Sequence, residues 1–241
     1  MKSLAFASRN RKEILRDPLT IIIGMGLPVI LLVLLSIMQK SIPNNLYNIE
    51  KLAPGIAVFS FSFISLFTGM LIAKDRSSSF LMRVFASPLT AQEYILGYTI
   101  PVLPIALLQI IICFTTAFFF GLNFALSVIA ASLVLMLISL LYIGFGLLFG
   151  VVLTDKQVGG FFAIFVNITT WLSGTWFELS LVGGMFKKIA YTLPFAHAVD
   201  AVKYTLAGNY NQILTPMLWV AVYTVVVFVL AIAIFNKRLK A

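Results

Sequence analysis

An all-α integral membrane protein is the fold class the sequence predicts, and two observations carry it. First, 61% of the 241 residues are hydrophobic and only 10% are charged, a balance too apolar for the water-facing surface of a soluble domain this size. Second, six apolar runs approach the roughly 20 residues a helix needs to cross a hydrocarbon core about 30 Å thick. They lie at residues 19–38, 54–73, 95–120, 125–153, 158–174 and 213–235. The runs are apolar on every face and lack the alternation of barrel strands, so helices are the expected spanning element.

The elements follow in order. In the first eighteen residues, Leu4, Phe6, Ile14 and Leu15 are interleaved with Arg9, Arg11, Lys12 and Arg16. This pattern predicts an interfacial helix along the cytoplasmic surface, ended near Asp17-Pro18 because a proline disfavours a helical predecessor. It is not read as a secretory signal: the apolar run that follows is span-length, and S-I-M-Q-K after it offers no small-x-small cleavage site.

Between the second and third runs, residues 74–94 form a charged, helix-competent insert. Phe80, Leu81, Val84 and Phe85 recur at helical spacing, Ser77 to Ser79 can cap its start, and Ser87-Pro88 ends it. Two readings stay open. The insert rests on lipid headgroups with Arg76 and Arg83 on phosphates, or it docks a soluble partner.

Small and polar residues pattern three spans. Gly146 and Gly150 form a GxxxG pair in the fourth, read as helix packing. In the fifth, Gly160, Ala163, Asn167, Thr170 and Gly174 make one stripe, which points to close packing, a translocation path or a subunit interface. The second repeats the theme with Gly55, Ser62, Ser65 and Gly69. After the fifth span, 175–212 is too apolar for an ordinary loop and too short to span, and Val182-Gly183-Gly184 marks a break in it. Trp171, Trp176, Tyr191, Tyr204, Tyr210 and Trp219 suit an external aromatic belt.

Twelve of the seventeen basic residues fall on the side of the N-terminus. Only Lys40, Lys51, Lys187, Lys188 and Lys203 fall on the other. The asymmetry predicts cytoplasmic termini and a cytoplasmic 74–94 insert. It also accounts for the net charge of +9 through contact with anionic lipid, with no nucleic-acid partner needed.

Enzymatic chemistry is nearly absent. One cysteine, Cys113, and one histidine, His197, exclude an internal disulfide and a cysteine–histidine metal cluster, and no P-loop pattern occurs. His197 and Asp200 at i and i+3 could form an acid/base pair of a membrane-embedded hydrolase, but no nucleophile turn accompanies them. No span carries a charge near its centre, which argues against an ion-driven transporter or a voltage sensor and leaves a partner to supply energy.

This order of elements, with a broken segment after the fifth span, resembles the type-2 ATP-binding-cassette transporter permeases over essentially the whole chain. The stretch Ser79 to Pro88, S-F-L-M-R-V-F-A-S-P, is similar to the family's coupling-helix pattern G-T-L-x-x-L-x-x-[TS]-P. Leu81, Ser87 and Pro88 match in register, while Ser79 and Phe80 depart from Gly-Thr. Leu172-Ser173-Gly174, Trp176-Phe177, Ile189-Ala190-Tyr191 and Leu193-Pro194-Phe195, continuing through Val199-Asp200-Ala201-Val202-Lys203, resemble the family's re-entrant helical hairpin between helices 5 and 6. Glu178 stands there where a proline is common.

The resemblance implies one permease domain over 1–241 with six spans, in a bacterial cytoplasmic membrane. Its partners would be a second permease copy, as homodimer or close heterodimer, and two copies of a soluble ATPase that carries the ATP and Mg. No cofactor or metal is expected in this chain. Arg76, Phe80, Leu81, Arg83, Val84, Phe85 and Pro88 would couple to the ATPase. Ser62, Ser65, Gly160, Ala163, Asn167, Thr170 and Gly174 would line the path or the dimer interface, and Trp176, Phe177, Glu178 and Pro194 the external gate. Phenylalanine-rich, uncharged spans favour a lipophilic or amphipathic cargo such as a drug, an antimicrobial peptide or a lipid-like molecule. Export of a polysaccharide or lipid-linked glycan, export of ions by the same architecture, and an ATP-independent channel are the alternatives.

Overall fold

The computed structural model describes the backbone of residues 2–41, 47–78 and 90–239, and the side chains of 4–18, 21–41, 47–78 and 90–237. Ten α-helices make up these residues, with no strand among them. In chain order they are α1 (Lys2–Leu15), α2 (Pro18–Gln39), α3 (Ile49–Ser77), α4 (Ala91–Phe119), α5 (Leu126–Val152), α6 (Asp155–Ser173), α7 (Leu179–Val182), α8 (Gly184–Thr192), α9 (Pro194–Leu206) and α10 (Leu214–Leu239).

Local chemistry sets the boundaries. Asn48 accepts from the Glu50 amide at 3.0 Å to open α3. Thr90 and Glu93 cap each other's backbone at the start of α4, and Thr154 and Gln157 do the same for α6. Gly174, at φ +70°, ends α6, and Gly183 and Gly184, at φ +63° and +54°, break α7 from α8. Pro194 opens α9 at a position where its missing N–H costs nothing.

The bundle is organised round α3. Its apolar stretch is 83% buried, against 22% for α2 and α10, so α3 is the axis and those two present most of their surface outward. Around it Ile56, Phe61, Ile64 and Ile72 pack with Tyr98, Leu135, Ile138 and Tyr142 in one continuous core. The closest approach is α3 to α5. A Cβ on Gly146 would sit 2.5 Å from the Ser65 carbonyl oxygen, and one on Gly150 would sit 2.8 Å from that of Gly69. The GxxxG pair is therefore a packing surface, as its spacing predicts.

Three expectations need correction or restatement. First, α1 does not simply lie along the surface. Phe6, Ala7 and Asn10 are buried, Phe6 stacks on Tyr94 and meets Tyr98 edge-on, and Asn10 donates to the Gly97 carbonyl at 3.0 Å. Gly97 makes this possible, since a Cβ there would strike the Phe6 ring at 2.2 Å. Second, the first residues of the insert belong to α3, and Ser77 and Ser78 bond back into it, while Ser79 lies outside the described residues. Ser77 Oγ donates to the Lys74 carbonyl and Ser78 Oγ to that of Asp75, so both close the end of α3, which carries residues 74–77. Third, five helices, α2, α3, α4, α5 and α10, are long and apolar enough to cross a membrane. The expected fifth span does form a helix, the 19-residue α6, but it is not among those five; Asp155, Lys156 and Gln157 in its first turn and Asn167 further along dilute it.

Candidate functional site

Three surfaces carry the predicted site residues. The first is α6, whose two faces differ. Val158, Phe162, Phe165 and Thr169 are buried toward α3 and α5. Thr169 Oγ1 donates to the Val166 carbonyl, which leaves Ser62 Oγ to donate across to Thr169 at 3.1 Å. Just past the end of α6, Thr175 Oγ1 donates to the Gly55 carbonyl at 3.3 Å. These bonds tie α6 to α3. Ser65 Oγ, one turn along α3 from Ser62, is buried with no hydrogen-bond partner.

On the opposite face of α6, Gly160, Ala163 and Asn167 are exposed. Nothing lies within 4 Å of a Cβ built on Gly159 or Gly160, and the Asn167 amide turns back to donate to the Ala163 carbonyl at 2.8 Å. The stripe expected from sequence thus divides along its length. Thr170 is buried, donating to the Val166 carbonyl, and Gly174 is the left-handed cap against Leu179. The C-terminal end of α6 is covered, with α8 and α9 packed onto that helix.

The second surface is the end of the bundle where α1 meets the last turn of α3, where sequence reasoning missed the main feature. Asp75 is buried and takes a two-pronged ion pair from Arg9, at 2.5 and 2.8 Å, plus the Tyr98 hydroxyl at 2.6 Å. Arg9 pays a desolvation penalty, but the Asp75 carboxylate outweighs it and raises the guanidinium pKa. The neighbouring Arg76 points the other way and donates to the Gly150 and Leu153 carbonyls, both at 2.9 Å, capping the last turn of α5. Of the residues expected to couple to an ATPase, only Arg76 is described. Phe80, Leu81, Arg83, Val84, Phe85 and Pro88 lie outside the described residues.

The third surface is the stretch after α6. Trp176 is half-buried against Phe59, at 5.9 Å between ring centroids, and Phe177 sits between Trp171 and Phe186. Pro194 is buried. Glu178 is exposed and pairs with Lys51 at 3.0 Å, a contact that lowers its pKa. Leu181, Val182 and Met185 at the α7–α8 tip remain exposed. A cavity of about 230 Å³ opens here, lined by Lys51, Glu178, Lys187, Tyr191, Asp200 and Lys203 among others.

The two candidate acid/base residues both bond to Tyr191. His197 Nε2 bonds the Tyr191 carbonyl at 2.9 Å, and the ring stacks on Trp219. Asp200 accepts from the Tyr191 hydroxyl at 2.9 Å. Tyr191 thus links both side chains of α9 to α8. Among the described residues no cluster of His, Cys, Asp and Glu could hold a metal ion.

The chain's outline is a helical bundle with a charged end at the Arg9–Asp75 pair, an open face on α6 and a segment after α6 that folds back onto it. No curated protein matches it. The family model for ABC-2 type transporters matches residues 2–207, from the first helix through the end of α9. The chain therefore belongs to the ABC-2 type transporter family, as a multi-pass membrane permease subunit that associates with an ABC ATPase subunit.

Proposed function

We propose that this chain is the transmembrane half of an exporter that moves a lipophilic or amphipathic cargo outward, powered by two copies of a soluble ATPase that holds the ATP and Mg. The family match over residues 2–207 carries this reading. In it α6 is the fifth of six crossings: 19 residues extend about 28 Å at 1.5 Å per residue, close to the hydrocarbon thickness. Residues 175–212 re-enter the outer leaflet, which would give the apolar tip at Leu181, Val182 and Met185 a lipid surround. A second copy, or a close homologue, pairs along Gly160, Ala163 and Asn167 of α6. The exposure of that small-residue face supports the pairing, because only small residues let two backbones approach closely in lipid.

Coupling runs through the segment beginning at Arg76, with Phe80, Leu81, Val84 and Phe85 entering an apolar groove on the ATPase, Arg83 at its rim and Pro88 ending the contact. Burying one phenylalanine stabilises a contact by about 1.5–3 kcal/mol, whereas a rim ion pair contributes below about 1 kcal/mol. Phe85→Ala should therefore lower co-purification of the ATPase or uncouple hydrolysis from transport, with Arg83→Ala milder. A permease that binds no ATPase, together with wild-type transport by Phe85→Ala, would sink the reading.

A further inference from the structure

Few cations are expected on the outer side of this chain, yet three of the five lysines assigned there, Lys51, Lys187 and Lys203, converge on the one cavity of about 230 Å³. Its two carboxylates leave one positive charge in excess. Glu178 is held by Lys51, and Asp200 is engaged by the Tyr191 hydroxyl. Lys187 lies 5.9 Å from the centre of the Tyr191 ring. Lys203 is half-buried and has no hydrogen-bond or ion-pair partner among the described residues. Burial pushes its ammonium pKa below the ordinary lysine value, against the opposing pull of Asp200. A cation withdrawn from water without a bonded partner is costly, and an anion brought to it offsets that cost. Lys51 and Lys203 also line a second, adjoining cavity of about 400 Å³ beside Glu50, Asn123 and Ser127, so the pair can be reached from two sides.

We propose that this outer cavity binds a phosphate group, with Lys203 as its central contact and Lys51 and Lys187 closing over it. Three ammonium groups converging as point charges suit a tetrahedral oxyanion, and lysine binds phosphate in this way. The phosphate has two possible sources, the headgroup of an outer-leaflet phospholipid or phosphate free in the external medium. The site rests on the outward placement of residues 175–212 proposed above. A direct binding measurement needs neither ATPase nor transport, so it can fail or succeed independently of the exporter reading.

The test is native mass spectrometry of the purified full-length permease in neutral detergent. It is offered phosphatidylglycerol or phosphatidylcholine, each with and without inorganic phosphate. The expected result is retention of phosphatidylglycerol above phosphatidylcholine. Lys203→Gln and Lys51→Gln should each weaken that retention roughly tenfold or more, the scale of a lost charged hydrogen bond. Lys203→Arg should restore it, showing that the loss is one of charge and not of folding. Lys188→Gln, on the same helix as Lys187 but lining neither cavity, should retain it. Lysine-dependent retention that inorganic phosphate does not displace identifies the lipid headgroup as the source. Displacement by inorganic phosphate, or binding of inorganic phosphate alone, identifies the free anion. Retention equal for the two lipids with no phosphate binding, or retention unchanged in Lys203→Gln, overturns the proposal.

Discussion

The helices α5 and α6 each present small residues on one face, and the two faces meet opposite fates. On α5, Gly146 and Gly150 touch the backbone of α3 so closely that neither could carry a Cβ without displacing a carbonyl. On α6, Gly159 and Gly160 face open space, beside an Asn167 that satisfies its amide within its own helix. In sequence both are small residues at helical spacing. The contrast shows that such spacing records how closely a neighbour can come, not whether that neighbour lies in the same chain. The α5 contact is closed inside the subunit, and the α6 face is open within it.

The largest effect expected from this contrast is at the closed face. Gly146→Leu drives a branched side chain into the Ser65 carbonyl and should cost about 3 kcal/mol or more through overpacking, read as loss of folded protein in detergent. A mutant that purifies at wild-type yield with an unchanged melting temperature would break the comparison. The Arg9–Asp75 ion pair is a second closed contact. Arg9→Ala leaves Asp75 buried with only Tyr98 to bond it. The expected cost is about 2–3 kcal/mol, below the ~3–5 kcal/mol of a fully buried pair, since the Arg9 side chain is one-third exposed. Adding Asp75→Asn should recover part of the loss, and strict additivity of the two mutations would argue against a direct link.

At the open face the sign of the comparison reverses. Gly160→Leu and Asn167→Leu should shift the stability of the isolated subunit by no more than about 0.5 kcal/mol while lowering transport. An Asn167→Cys variant should form a disulfide cross-link between two copies of the chain, and adding Gly160→Leu should weaken that cross-link. Thr170→Phe, three residues nearer the covered end, should cost about 1–2 kcal/mol in the subunit itself, because Thr170 is already buried. Equal effects of Asn167→Leu and Thr170→Phe on subunit stability would mean that α6 has no open face. The smallest effect belongs to Glu178. Its pKa is lowered by Lys51, so its contribution is full above the ordinary carboxylate value and fades as pH falls through the lowered one. The pair is exposed, and Glu178→Gln should cost only about 0.2–0.5 kcal/mol at neutral pH, a difference that disappears in acid.

What the sequence made legible depends on how local the cause is. The helix starts at Thr90 and Thr154 are written within four residues by capping boxes, and the Gly183-Gly184 break by the glycines themselves. The Arg9–Asp75 pair joins residues 66 apart, and no local pattern announces it. A carboxylate in the last turn of a span, set between Lys74 and Arg76, was the one available signal. The α6 stripe is a single row on the helix, but which part stays open depends on the segment after it, with Leu179 against Gly174 and α8 and α9 packed onto α6. That is a fact about residues 179–206 and not about the stripe.

The adjacent side chains Asp75 and Arg76 have one mechanical consequence. Asp75 is gripped by α1 and α4, and Arg76 by the carbonyl end of α5. The last turn of α3 is thus bolted on two opposite sides just before the chain leaves it. A force delivered beyond Ser78 cannot be absorbed by fraying that turn. It arrives as a torque on four helices at once, making the base of the bundle a stiff lever with its fulcrum at residues 75 and 76.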